Sequence, residues 1–134
     1  MAVRAVQLGS PRTAGEGLRI GTVRRPPRGV KKSEYAARDY YDVWLPELAP
    51  SEKLRTWVMA GPITDQRWTT FVRRYRTEMA APPAARLLAL LGALARTANF
   101  SIGCYCKDES HCHRSVLIDL LRSGGEVGRA KKGH

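Results

Sequence analysis

The chain has 134 residues, 43% hydrophobic and 26% charged, with Lys+Arg 23 against Asp+Glu 12 for a formal net charge of +11. That length suits one domain around one core, and that composition excludes a low-complexity or disordered chain. No run of sequence approaches the roughly 20 apolar residues of a membrane span, and three cysteines, an odd number, exclude a disulfide framework.

Residues 2–7 read as a short strand, and GSPRTAGEG after them as a loop. Leu18, Ile20 and Thr22 alternate with other residues, which predicts a second strand. RRPPRGVKK at 24–32 is broken by prolines and a glycine and holds the densest positive run of the chain. Pro46 and Pro50 keep the backbone extended or turned until Ser51, an N-cap with Glu52 in the following turn. Leu54, Trp57 and Val58 form the apolar stripe of that helix, which Gly61 and Pro62 close.

A second helix starts near Thr64 or Asp65. Trp68, Phe71, Val72, Tyr75 and Met79 share one face, and Arg67, Arg73, Arg74 and Thr77 lie mostly on the other. An aromatic stripe at this spacing is core material, and an arginine face is usually solvated. Pro82 and Pro83 suit the first turn of a third helix. Its leucines, 87, 88, 90, 91 and 94, predict burial on more than one side. NFSIGCYC then reads as a strand, KDESH as a turn, and CHRSVLIDLLRS as a last helix ended by Gly124 and Gly125. The expectation is a single α/β domain over 1–123, with a small, partly parallel sheet flanked by helices, and a disordered basic tail over 124–134.

All three cysteines and two of the three histidines lie within 104–113. Cys112 and His113 fall in the first turn of the last helix, where unpaired N–H groups favour anions and lower a thiol pKa. Cys104 or Cys112 is therefore the candidate catalytic thiol, with Cys106 at the strand end as another. His113 is the candidate general acid/base, and Arg114 with Arg28 the candidate anion clamp. Three sulfurs and a nitrogen in C-x-C-x5-C-H also resemble a zinc set, but the usual pairing is C-x2-C, so metal and other cofactors are not expected. A phosphatase-type C-x5-R loop is absent, because the sixth residue after Cys106 is Cys112. The plain alternative is structural: buried cysteines, a core histidine and a capping arginine.

CYCKDESHCHRSVL resembles the terminal signature of the family called domain of unknown function 488. Its longer members carry a cysteine, a glutamate two residues later, and Cys-His-Arg after a short polar turn. Cys104 matches the first cysteine, Cys112, His113 and Arg114 match the triplet, and Cys106 falls where the glutamate lies. PRGVKK at 27–32, WLPELAPSEKLRTW at 44–57 and RWTTFVRRYRTEM at 67–79 resemble the family's short branch. That branch often has Asp-Arg and a tryptophan before Pro-Arg-Gly, where this chain has Val23, Arg24 and Pro26. The resemblance spans roughly 18–123. It implies a compact α/β fold and no activity. From the residues, the expected function is an enzyme acting in the cytoplasm, at no membrane, on an anionic small molecule or nucleotide. The alternative is a non-catalytic module binding nucleic acid weakly and non-specifically through its basic surface.

Overall fold

The computed structural model describes residues 3–123, so the basic segment 124–134 and the two glycines expected to end the last helix lie outside the described residues. Four strands, β1 (Val3–Gln7), β2 (Leu18–Gly21), β3 (Val43–Trp44) and β4 (Phe100–Cys104), form one sheet in the order β1-β4-β2-β3. Every pairing is parallel, a stricter arrangement than the partly parallel sheet expected. β4 is sandwiched, with Phe100 level with Val3 on one side and Leu18 on the other. The four helices are α1 (Glu52–Met59), α2 (Asp65–Met79), α3 (Ala84–Leu94) and α4 (His113–Arg122).

Alternation along the strands assigns the two faces. Val3, Ile20, Phe100 and Ile102 join Phe71, Tyr75, Leu88, Leu91, Leu117 and Leu120 in the main core. α1 starts as its sequence dictates: Ser51 Oγ accepts from Leu54 N at 3.1 Å, as Thr64 Oγ1 does from Arg67 N for α2. Ser51 also donates from N and Oγ to the Glu78 carboxylate, at 2.8 and 2.5 Å, which ties α1 to α2. The aromatic stripe of α2 is internal, with Phe71 stacked between Trp68 and Tyr75. α3 departs from expectation. Leu88 and Leu91 are buried, but Leu90 is 57% and Leu94 42% exposed, so it buries one side only. Leu87 is half-buried against the core, and Leu90 and Leu94 face outward because α2 and α4 pack on a single flank.

The opposite sheet face has no helix among the described residues. Residues 8–17 and 35–42 cover it instead. Gly103 and Gly21 make room for them: a Cβ at either would strike the Leu8 or the Tyr41 side chain. Arg19, fully buried, and Ser101 sit on this face with Glu16. Arg19 clamps Glu16 through two N–H···O contacts of 2.8 and 3.1 Å. It also donates to the carbonyls of Ser10 and Asp39 at 2.8 and 2.7 Å. Among the described residues no helix is long and apolar enough to cross a membrane.

Candidate functional site

Parallel strands end on one side of a sheet, and sites gather beyond those carboxyl ends. Here β1, β2 and β4 deliver Leu8, Thr22 and Tyr105 to one edge. From Cys104 the chain leaves the sheet, passes Cys106, turns through Glu109–His111 and enters α4 with Cys112 as N-cap. Asp108 builds the turn by accepting from Ser110 N and Oγ at 3.1 and 2.6 Å. Gln7 pins the loop by donating to Tyr105 O at 3.1 Å. The strand end and the helix start thus converge. Cys104 and Cys112 Sγ lie 2.6 Å apart, Cys106 N donates to Cys104 Sγ at 3.4 Å, and all three sulfurs fall within 4.8 Å of one another.

Cys104 and Cys112 are buried in a small second core with Leu8, Val23 and Tyr41, whereas Cys106 is exposed. His113 is buried behind them. Its Nε2 lies 2.8 Å from Thr22 O and 3.0 Å from Thr22 Oγ1. A carbonyl oxygen can only accept, so Nε2 carries the proton. Nδ1 is then the unprotonated nitrogen, 3.8 Å from Cys112 Sγ. Tyr75 of α2 meets the imidazole edge-on at 5.6 Å. Arg114 is 3% exposed. Its NH2 donates to Cys106 O at 2.8 Å, while Nε has no partner and no carboxylate pairs with it among the described residues. Asp42 and Glu47 do not serve it; Asp42 is bound by Arg12 at 2.9 Å.

The electrostatics divide the three thiols. Hydrogen bonds from Cys104 and Cys112 hold the Cys106 thiol far below its usual range, against the cost of burial, and the Arg114 charge acts the same way. Donation to Cys106 and Cys112, together with burial, pushes Cys104 far up. Cys112 is drawn down by Cys104 but raised more by Cys106 and burial, to about 11. These directions favour the exposed sulfur over the two buried ones as the site of a thiolate. Burial lowers His113 to about 4, partly offset by its bond to Thr22, so it is neutral at pH 7. Burial raises Tyr41 to about 12, and its buried hydroxyl has no partner.

Four of the expected residues meet. Cys104, Cys112, His113 and Arg114 share one site, and Cys106 is its accessible thiol. Arg28 is exposed, on a loop moored at the site by Tyr105 Oη, which donates to Arg25 O at 2.9 Å, and by Thr22 on His113. Thr22 and Tyr41 carry no site signal in the sequence; Thr22 reads there as a strand residue. Three sulfurs could hold a soft metal ion, but a tetrahedral site needs a fourth ligand from His113 Nδ1 or from outside.

The family model described as "Active DUF488-N3 subclade" matches residues 3–125. The chain belongs to the DUF488-N3 subclade. The DUF488-N3 match takes in every described strand and helix and the whole cysteine turn. The "Uncharacterized protein YeaO" of Escherichia coli (strain K12) is 29% identical over 123 residues, which is 92% of this chain and 99% of YeaO. No solved structure matches the chain.

Proposed function

We propose that this DUF488-N3 protein is an enzyme of the cytoplasm that acts on an anionic small molecule or nucleotide through thiol chemistry, with Cys106 as the attacking sulfur. The observation that carries this reading is the buried guanidinium of Arg114, set beside three convergent thiols and lacking a carboxylate. A buried cation without a counter-ion is costly, and a thiolate or a bound oxyanion relieves it. Arg114 then serves twice, holding Cys106 as thiolate and meeting the substrate's negative group. His113, neutral with Nδ1 turned to Cys112, accepts that thiol's proton when it reacts; its low basicity makes it a weak general base. Arg28 and Lys31, exposed on the moored loop, give the approach a positive field.

The test pairs two measurements. Iodoacetamide should alkylate Cys106 well below pH 8 and faster than a free cysteine, with Cys106→Ser removing the fast phase. Sulfate or phosphate should raise Tm, and Arg114→Lys should abolish that rise while changing stability by less than about 1 kcal/mol. Slow alkylation with no anion response would overturn the reading. Arg28, Lys31 and Lys32 carry no side-chain ion pair among the described residues, which favours the second reading, non-specific nucleic-acid binding. It predicts a complex in a low-salt shift assay that dissolves steeply with salt.

A further inference from the structure

Three thiols exceed what one nucleophile requires, and their placement is graded. Cys106 is at the surface; Cys104 and Cys112 lie behind it, 2% and 3% exposed. Their sulfurs are 2.6 Å apart, only about 0.5 Å beyond the length of an S–S bond. Every sulfur is within 4.8 Å of the other two, so each can be attacked by either neighbour with small side-chain movement. A lone nucleophile would need no such pair at its back. A structural pair would need no exposed third member. The backing dithiol also sits on the rigid end of the central strand and on the N-cap of α4, not on the loop that carries Cys106.

We propose that the three thiols form a relay that reduces low-molecular-weight disulfides carrying carboxylates, with Cys106 as entry sulfur and Cys104–Cys112 as the dithiol that supplies the electrons. This rests on the reading of Cys106 as the attacking thiol and adds its substrate class. In the first step the Cys106 thiolate attacks one sulfur of R–S–S–R′. The substrate S–S bond breaks, R′S⁻ leaves, and Cys106 holds R in a mixed disulfide. Cys112 then loses its proton through the neighbouring His113 Nδ1 and attacks Cys106 Sγ. RS⁻ departs and takes up that proton, leaving a Cys106–Cys112 bond. Cys104 attacks Cys112 in turn, expels Cys106 as thiolate, and gives up its proton to R′S⁻. Two electrons and two protons have passed from the buried dithiol to the substrate, which ends as RSH and R′SH. A small external dithiol reverses the exchange and restores the protein. Thiolate attack and leaving-group order follow the ordinary rules of exchange. Arg114, next to the Cys106 carbonyl, is placed to select disulfides that carry carboxylates.

Glutathione disulfide is the probe. Reduced wild-type protein mixed with it should release two equivalents of glutathione and become two hydrogens lighter, with the bridge mapped by mass spectrometry to Cys104 and Cys112. The double variant Cys104→Ser, Cys112→Ser should stop at the mixed disulfide on Cys106, because either buried thiol alone can resolve it. Cys106→Ser should lose at least about tenfold in oxidation rate. The wild-type map carries the test even where the double variant folds poorly. A mixed disulfide that persists in wild-type protein, or Cys106→Ser oxidised as fast as wild type, would overturn the relay. So would purified protein holding a stoichiometric thiophilic ion on all three sulfurs. If Cys106 still alkylates fast and sulfate still stabilises, the relay alone falls; if Cys106 is unreactive, the thiol site falls with it.

Discussion

Among the described residues two arginines are buried, and they keep very different company. Arg19, on the helix-free face of the sheet, has its charge met by Glu16 in a two-point clamp and its remaining N–H groups taken by main-chain carbonyls. Ser101 completes the set by donating to Glu16 at 2.5 Å. Arg114, at the end of the sheet, has one carbonyl, no carboxylate and an idle Nε. A satisfied network specifies structure, and a deficient one stores an unmet interaction that a ligand or a reactive group can answer. The difference locates the function of the domain at the cysteine turn and its architecture at Arg19.

The comparison breaks if the two arginines respond alike to removal. Arg19→Ala strands the Glu16 carboxylate in the interior and should cost about 3–5 kcal/mol, a fall in Tm of about 10–20 °C. Arg114→Met leaves no orphaned carboxylate and should cost less than about 1 kcal/mol. Thermal denaturation of both variants checks the contrast; equal losses would make Arg114 another architectural residue.

Acid sharpens it next. His113 has a folded pKa of about 4 against 6.5, the result of burial and of the Arg114 and Arg55 charges, opposed by Thr22 and Cys106. The unfolded chain therefore binds more protons between these values. Stability is fully present above pH 6.5 and is lost as pH falls toward 4, by about 3 kcal/mol in all. Glu16, lowered from 4.5 to about 2 chiefly by its bond to Arg19, loses its contribution in a separate window between those values. Denaturant titrations across pH should show the two in succession, and His113→Gln should flatten the upper one only.

On the Arg19 side a smaller effect is expected at Ser101→Ala, which removes one O–H from Glu16 and should cost about 1–2 kcal/mol. The Glu16 pKa should rise, because that hydroxyl helps to lower it; carboxyl NMR titration of the variant reads this directly.

The contrast also explains what could be read in advance. The cysteine turn was legible because its chemistry is local: Cys104, Cys112, His113 and Arg114 lie within eleven consecutive residues, so a strand followed by a helix suffices to gather them. The helices were legible through Ser51, Thr64 and the stripe of α2. Arg19 was not. Its strand neighbours alternate, a charged residue between Leu18 and Ile20 reads as outward-facing, and the loop glutamate that neutralises it carries no periodic signal. Covering of the second face by residues 8–17 and 35–42 is a tertiary event with no local mark, and the two-residue strand Val43–Trp44 is too short for alternation to show.

The position of β4 has a consequence for how the chain comes to be folded. β1 and β2 are among the first residues of the described chain, yet they do not touch as strands; each pairs with β4, about a hundred residues from β1. During synthesis both N-terminal strands leave the ribosome with open edges and wait for Phe100–Cys104 to fill the gap between them. Such long-range closure slows folding and leaves strand edges available to other chains meanwhile. The nascent protein needs the last strand before it has a sheet, and that strand ends in Cys104. A nascent chain stalled before β4 lacks both the strand that joins β1 to β2 and the reactive cluster that follows it.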